Sequence, residues 1–313
     1  MPGAAKALIV GSPSDPHVVA VLEELGSQAG EVLVLDAACL QESTYTLGID
    51  ELQVVVPDGR FLTIIAPLKG WIRRLAPPDW QAGVVLGSRD AAMKASWLGL
   101  LASLIRVLPV SWLTDLDAAF RTENKLLQTM TAHRLGIPVP ESIITSAWEI
   151  ARERLGETVV LKPLGPSHYL SDEGKPRVVF AQRATTDSFA VADLRTVPFI
   201  AQREIVASKH LRVVTVGSRS WVASLVASEE ELDWRRSDEA HGMFSVDTAW
   251  AHVSEAALRL ACALGIGFSS QDWIVENGVP YFLDLNPGGQ WLFLPPPIPR
   301  EVARAIGDWL TLL

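Results

Sequence analysis

The stretch from Asp272 to Gln290 limits what this chain can build more than any other. It reads Asp-Trp-Ile-Val-Glu-Asn-Gly-Val-Pro-Tyr-Phe-Leu-Asp-Leu-Asn-Pro-Gly-Gly-Gln. Asp272 to Val275 alternates as a strand, Glu276-Asn-Gly-Val supplies a tight turn, and Tyr281 to Asn286 returns as the partner strand. Side chains on a strand repeat their face every two residues, so Asp284 and Asn286 project to one side. Folding at Asn277-Gly278 brings Asp272 to that side as well. Two carboxylates and an amide oxygen form a hard, oxygen-only set suited to Mg²⁺, which takes few protein ligands and completes its octahedron with phosphate and water. A solvated polar hairpin edge would use the same residues, so the segments upstream must decide between the two.

Thr158-Val-Val-Leu-Lys162-Pro163-Leu-Gly-Pro-Ser reads as a strand that delivers a lysine into a loop of small residues. Lysine is a compact phosphate contact, and a small-residue loop lets backbone N–H groups approach phosphate oxygens. The polar run from Leu164 to Arg177 suits a lid. The pattern is not a Walker A motif, which excludes P-loop chemistry. No Ser-His-Asp pattern or zinc-ligand spacing stands out.

Asp272, then Asp284-x-Asn286 followed by Pro-Gly-Gly-Gln-Trp, resembles the metal-binding hairpin of ATP-grasp carboxylate–amine ligases. The likeness is nearest to the microviridin-type (graspetide) maturases, which macrocyclise ribosomally made peptides. There the middle ligand is usually Glu, where this chain has Asp284. The order Asn124-Lys125, Gly-Ile-Pro-Val-Pro, strand-Lys162-Pro, loop, then a second lobe matches the ATP-grasp plan. The resemblance implies ATP and Mg²⁺ as cofactors. It implies that Lys125 and Lys162 hold phosphates, that Asp272, Asp284 and Asn286 hold metal, and that Arg212 and Arg235 meet the phosphate or acyl phosphate. It also makes Gln202-Arg203-Glu204-Ile205 the hinge that holds adenine and ribose. The common pattern there is Gln-Glu-aromatic, so whether Arg203 or Glu204 faces the ribose stays open.

The N-terminal third reads as an α/β unit. Ala7 to Gly11, a helical stretch from Val18 to Gln28, and Glu31 to Asp36 form a β-α-β seed of a parallel sheet. The single Gly11 in its turn is no dinucleotide fingerprint. Leu52 to Val56 and Arg60 to Ile65, around Pro57-Asp-Gly, read as a hairpin. Trp71-Ile-Arg73-Arg74 follows. A paired arginine offers planar forks for a substrate carboxylate, and the maturases carry an aromatic and paired arginines here. A salt-bridged loop would use the same residues. Further on, the spacing predicts helices over 90–106, 116–134, 253–264 and 300–312, with strands over 210–217 and 220–228.

At 313 residues the chain can hold about two domains, or one of three lobes. The expected class is α/β (α+β): an N-terminal α/β domain (1–114), an ATP-grasp small lobe (115–201) and a C-terminal lobe with the metal site (202–313). Hydrophobic residues make up 49% and charged residues 20%, and the net charge of -9 argues against a general nucleic-acid binder. Cys39 and Cys262 are expected as buried, reduced thiols. No signal-peptide pattern or membrane-length apolar run is visible, so a cytoplasmic protein is expected. The resemblance implies a ligase joining carboxylate side chains to hydroxyl or amine side chains of a precursor peptide, possible as a homodimer. Two rival readings are a ligase of free amino acids or other small metabolites, and a non-catalytic homologue that only binds peptide or nucleotide.

Overall fold

The computed structural model describes residues 5–47, 52–55, 61–63, 68–77, 79–80, 84–164, 168–170, 176–178, 180–185, 197–228, 232–236 and 239–311. Its first sheet is parallel, with strands in the order Val32–Leu35, Ala7–Val10, Leu68–Ile72, Val110–Trp112. The apolar runs at Ala7–Val10 and Val32–Leu35 are buried at every position, as a sheet covered on both faces requires. Between them the helix Pro16–Leu25 starts two residues ahead of the expected Val18. Asp15 caps it by accepting from the His17 N–H, and Pro16 opens it with its φ already set. It stops at Gly26, three residues short of the expected end, and a 3₁₀ turn carries the chain to Glu31. The hairpin Leu52–Val55 with Phe61–Thr63 forms as expected and gains an unforeseen third strand, Thr44–Leu47. Its Pro57-Asp-Gly turn lies outside the described residues.

One long helix was expected over 116–134, and two are present, Leu116–Thr122 and Lys125–Arg134. The break has a local cause. Asn124 leaves helical geometry and its side chain accepts from the Leu127 N–H, so it caps a new helix instead of continuing the old one. The second helix is lashed to the strand Val279–Asn286 by Gln128. Its amide donates to the Leu285 carbonyl (2.7 Å) and accepts from the Leu285 N–H (2.8 Å).

The small-lobe sheet is antiparallel, in the order Gln182–Ala184, Val159–Pro163, Phe199–Arg203, Ser142–Thr145. In the expected lid, His168–Leu170 and Pro176–Val178 pair as antiparallel strands, while 165–167 and 171–175 lie outside the described residues. The third large sheet runs Ser245–Val246, Arg219–Val226, Lys209–Val216, Phe268–Glu276, Val279–Asn286. Leu211, Val213, Trp273 and Phe282 on one face meet the helix Ala251–Leu264. Val214, Val216 and Phe268 on the other share a core with Ile9 and Trp71 of the first sheet and with Val302 and Ile306 of the C-terminal helix Ile298–Thr311.

The outer units are therefore fused through one core, and we propose the divisions 1–114, 115–201 and 202–313 as the units around these sheets. Cys262 departs from expectation. It is exposed on the outer side of its helix, because the face carrying Leu260, Ala261 and Leu264 takes the core contacts. Among the described residues no helix is long and apolar enough to cross a membrane.

Candidate active site

The strands Phe268–Glu276 and Val279–Asn286 close over Asn277-Gly278, both at positive φ (52° and 77°). That is the backbone of a type I′ turn and explains why Asn-Gly stands there. Asp272 pairs directly with Asp284, and Ser270 with Asn286, so the two carboxylates and the amide share one face. Beyond Asp272 the register slips by one residue at Leu283. Such a bulge sharpens the local twist and is common beside sites.

The next strand, Lys209–Val216, sets Arg212 opposite Asp272. Arg212 Nη1 donates to Asp272 Oδ1 (2.8 Å), and Arg235 Nη1 lies 3.4 Å from Asp272 Oδ2. Arg235 is in turn held by a two-pronged contact with Asp233, at 2.9 and 3.1 Å. Burial alone would protonate Asp272, but Arg212 and Arg235 outweigh it and hold the carboxyl below its ordinary range. Burial likewise opposes the Arg235 charge, and the Asp272 and Asp233 carboxylates reverse that and hold it firmly protonated. Arg212 is buried, packs against Phe293 (5.9 Å to the ring), and its Nε–H has no partner among the described residues. An orphaned guanidinium donor beside a single carboxylate fits a site that receives an anion.

Lys162 reaches this region from the small lobe. Burial is the largest influence on its ammonium and pushes its pKa down to about 8, with Asp284 opposing and Lys125 and Arg235 assisting. The two expected phosphate lysines and the hairpin acid are thus within electrostatic range of one another. Lys125 owes its place to the Asn124 cap and the Gln128 lashing.

Metal ligation is uneven across the expected trio. The Asp284 carboxylate makes no hydrogen bond or ion pair among the described residues. Among the described residues Asn286 Oδ1 accepts only from the Gly288 N–H, and Asp272 is already shared between two arginines. No three acidic, histidine or cysteine side chains converge as a metal cage among the described residues. A divalent ion that keeps water and phosphate oxygens in its shell fits such a sparse set, with Asp284 and Asn286 the readiest donors.

The hinge brings Gln202 and Ile205 into the interior, with Gln202 Nε2 donating to Ser142 Oγ (2.9 Å). Both side chains between which the ribose contact stood open are engaged elsewhere. Glu204 takes Arg183 at 2.8 and 2.6 Å. Arg203 reaches Glu276 (3.4 Å) across to the C-terminal hairpin and lies over the Tyr281 ring (5.7 Å).

Arg73 and Arg74 part company. Arg74 is one-third exposed, 4.0 Å from Asp15, whereas the Arg73 side chain is 1% exposed. Arg73 lies 3.3 Å from Asp15 and donates to the Gly288 carbonyl. Three more participants had little sequence signal. Asp15 and His17 fall just ahead of the helix expected from Val18. His210, two residues before Arg212 on the same strand face, is buried and its imidazole makes no hydrogen bond among the described residues. Burial lowers its pKa, against the raising pull of Asp272 and Asp233.

Comparison with solved structures settles what these sheets make. The macrocyclase MdnC of Microcystis aeruginosa, solved with the precursor peptide MdnA, superposes with a TM-score of 0.81 over 97% of this chain and 99% of its own, at 19% identity. The fold is that of the ATP-grasp ligases. A RiPP-associated ATP-grasp ligase of Chryseobacterium gregarium, in complex with ADP and a leader and core peptide, gives 0.82 over 98% and 96%, again at 19% identity. The ATP-grasp ligase PsnB, complexed with minimal precursor, Mg and ADP, gives 0.74 over 98% and 99% at 19%. No protein-family model matches the sequence, and no curated protein does. The ATP-grasp architecture expected from the hairpin and the lysines is thus present along nearly the whole chain.

Proposed function

We propose that the protein is an ATP-dependent ligase that activates carboxylate side chains of a ribosomal precursor peptide and joins them to hydroxyl or amine side chains. The carrying observation is that Lys162, from the small lobe, comes within electrostatic range of Asp284, which shares one face of the C-terminal hairpin with Asn286 and with Asp272, the partner of Arg212 and Arg235. The peptide substrate rests on the fold neighbours, of which MdnC and PsnB were solved with precursor peptides.

In the reaction a carboxylate oxygen attacks the γ-phosphorus of ATP, ADP leaves, and the acceptor oxygen or nitrogen then displaces phosphate from the acyl phosphate. The attacking carboxylate and the triphosphate repel each other, so the chain's task is charge neutralisation and alignment. Lys125 and Lys162 hold phosphate oxygens. Arg212 and Arg235 each pair with Asp272 and are placed to share their guanidinium donors with an incoming carboxylate or phosphoryl group. Asp284, Asn286 and Asp272 would hold Mg²⁺, which supplies Lewis-acid neutralisation of phosphate charge when bound. Gln202 to Ile205 line the adenine end, with the ribose contact falling to backbone groups or to Glu204 released from Arg183.

Incubation with ATP, Mg²⁺ and a short peptide encoded beside the gene should give loss of one water per ring by mass spectrometry. Phosphate release with free amino acids and no dehydrated peptide would move the assignment to a small-metabolite ligase. Binding without either signal would leave a non-catalytic homologue.

A further inference from the structure

The loop after the metal hairpin, residues 287–291, is held from the opposite end of the chain. Arg73 Nη1 donates to the Gly288 carbonyl, and the Trp291 N–H donates to His17 Nε2 at 3.4 Å. With Nε2 accepting, the imidazole proton sits on Nδ1 and is donated to Asp15 Oδ1, 3.0 Å away, so Arg73 Nη2, 3.1 Å from the same Nδ1, packs against it without a hydrogen bond. Asp15 therefore orders both grips, since it also lies 3.3 Å from Arg73 Nε. Trp291 is fully buried between His17 (centroids 4.3 Å), Phe268 (5.3 Å) and Trp71 (6.0 Å).

The same loop holds two parts of the site. Its Gly288 N–H donates to Asn286 Oδ1 (3.0 Å), and its Gln290 carbonyl accepts from Arg212 Nη2 (3.0 Å). We propose that Arg73 is a positioning residue: with His17 and Asp15 it pins loop 287–291 from the N-terminal unit, and the loop in turn sets the Asn286 amide and the Arg212 guanidinium. Arg73 so placed is 1% exposed, with its fork turned to Asp15 and the Gly288 carbonyl, and the role of gripping a substrate carboxylate falls to the part-exposed Arg74. The inference rests on the ligase reading for its consequence, but not for the clamp itself.

Arg73→Lys keeps the charge and loses the fork, and amide hydrogen exchange reads the clamp without any ligand. Exchange across 286–294 should quicken several-fold while the strand 268–276 is unchanged. Calorimetry should show Mg·ADP bound about tenfold more weakly, as for removal of a residue that orients a metal ligand, with metal-free ADP unaffected. Turnover should fall in kcat with the KM for peptide kept. Unchanged exchange at 286–294 together with a raised peptide KM would overturn the proposal and make Arg73 a direct substrate contact. If Arg73→Lys does not fold, His17→Ala releases the loop from its other grip and is read the same way. Failure of the wild-type protein to bind Mg·ADP would sink the ligase reading, and the exchange result would still decide the clamp.

Discussion

Single side chains carry most of the chemistry, and their environments give distinct expectations. Asp284 lies within electrostatic range of Lys162 and Arg235 and its carboxylate makes no hydrogen bond or ion pair among the described residues, so we expect it to serve ligand binding and not the fold. Asp284→Ala should leave the melting temperature within a few degrees of wild type and lower turnover by at least a hundredfold. A binder with no catalytic role would show no such split. Lys162 begins with its pKa pushed down to about 8 from an ordinary 10.5. Phosphate oxygens favour the charged ammonium, so nucleotide binding should raise that pKa. Between pH 8 and 10.5 the protein should take up a proton on binding ATP, measurable as a buffer-dependent enthalpy, and Lys162→Met should abolish the uptake. The acids, the amide and both lysines could be singled out in the sequence because a strand–turn–strand alternation and a strand-borne lysine stand out locally, while the roles expected of them came from the resemblance to ATP-grasp ligases. Asp15 and His17 were not, since a helix cap and a lone histidine look the same whether or not a distant loop docks on them.

At the scale of elements, the hairpin was readable because Asn-Gly admits the positive φ of a type I′ turn and alternation fixes the faces. The division of the 116–134 helix was missed because hydrophobic spacing continues through Asn124, and only the cap reveals the break. The loop after the hairpin needs glycine for a steric reason. A Cβ on Gly289 would lie 2.3 Å from Ser270 Cβ and 3.2 Å from Arg212 Nη2. Gly289→Ala should therefore displace Arg212 and remove most activity, at a stability cost of about 1–3 kcal/mol, the usual range for overpacking. Normal activity in that variant would mean that the loop can shift without disturbing Arg212.

Across the whole molecule, the N-terminal and C-terminal units share one core in which Trp291 is fully buried. Trp291→Ala should cost about 3–5 kcal/mol and lower the cooperative unfolding of both units together. Retention of a separate N-terminal melt would contradict a shared core. The same junction responds to acid. Burial lowers the His17 pKa below its ordinary 6.5, with Arg73 assisting and Asp15 opposing. The stability tied to neutral His17 is complete above pH 6.5 and is lost as pH falls below it. Asp15 follows lower down: burial would raise its pKa, but the His17 hydrogen bond and Arg73 hold it far under 3.8, so its contribution goes only below that value. Melting temperature should begin to fall below about pH 6.5, and His17→Gln should flatten that first step. The joining of the outer units was not legible in the sequence, because it depends on which faces of distant strands meet.

The most direct measurement is a crystal structure with Mg²⁺ and a non-hydrolysable ATP analogue. It should place the metal about 2.1 Å from oxygens of Asp284 and Asn286, with Lys162 and Lys125 on the phosphates and the terminal phosphoryl group facing Arg212 and Arg235. A triphosphate bound elsewhere, with Asp272, Asp284 and Asn286 turned away from it, would contradict the assignment.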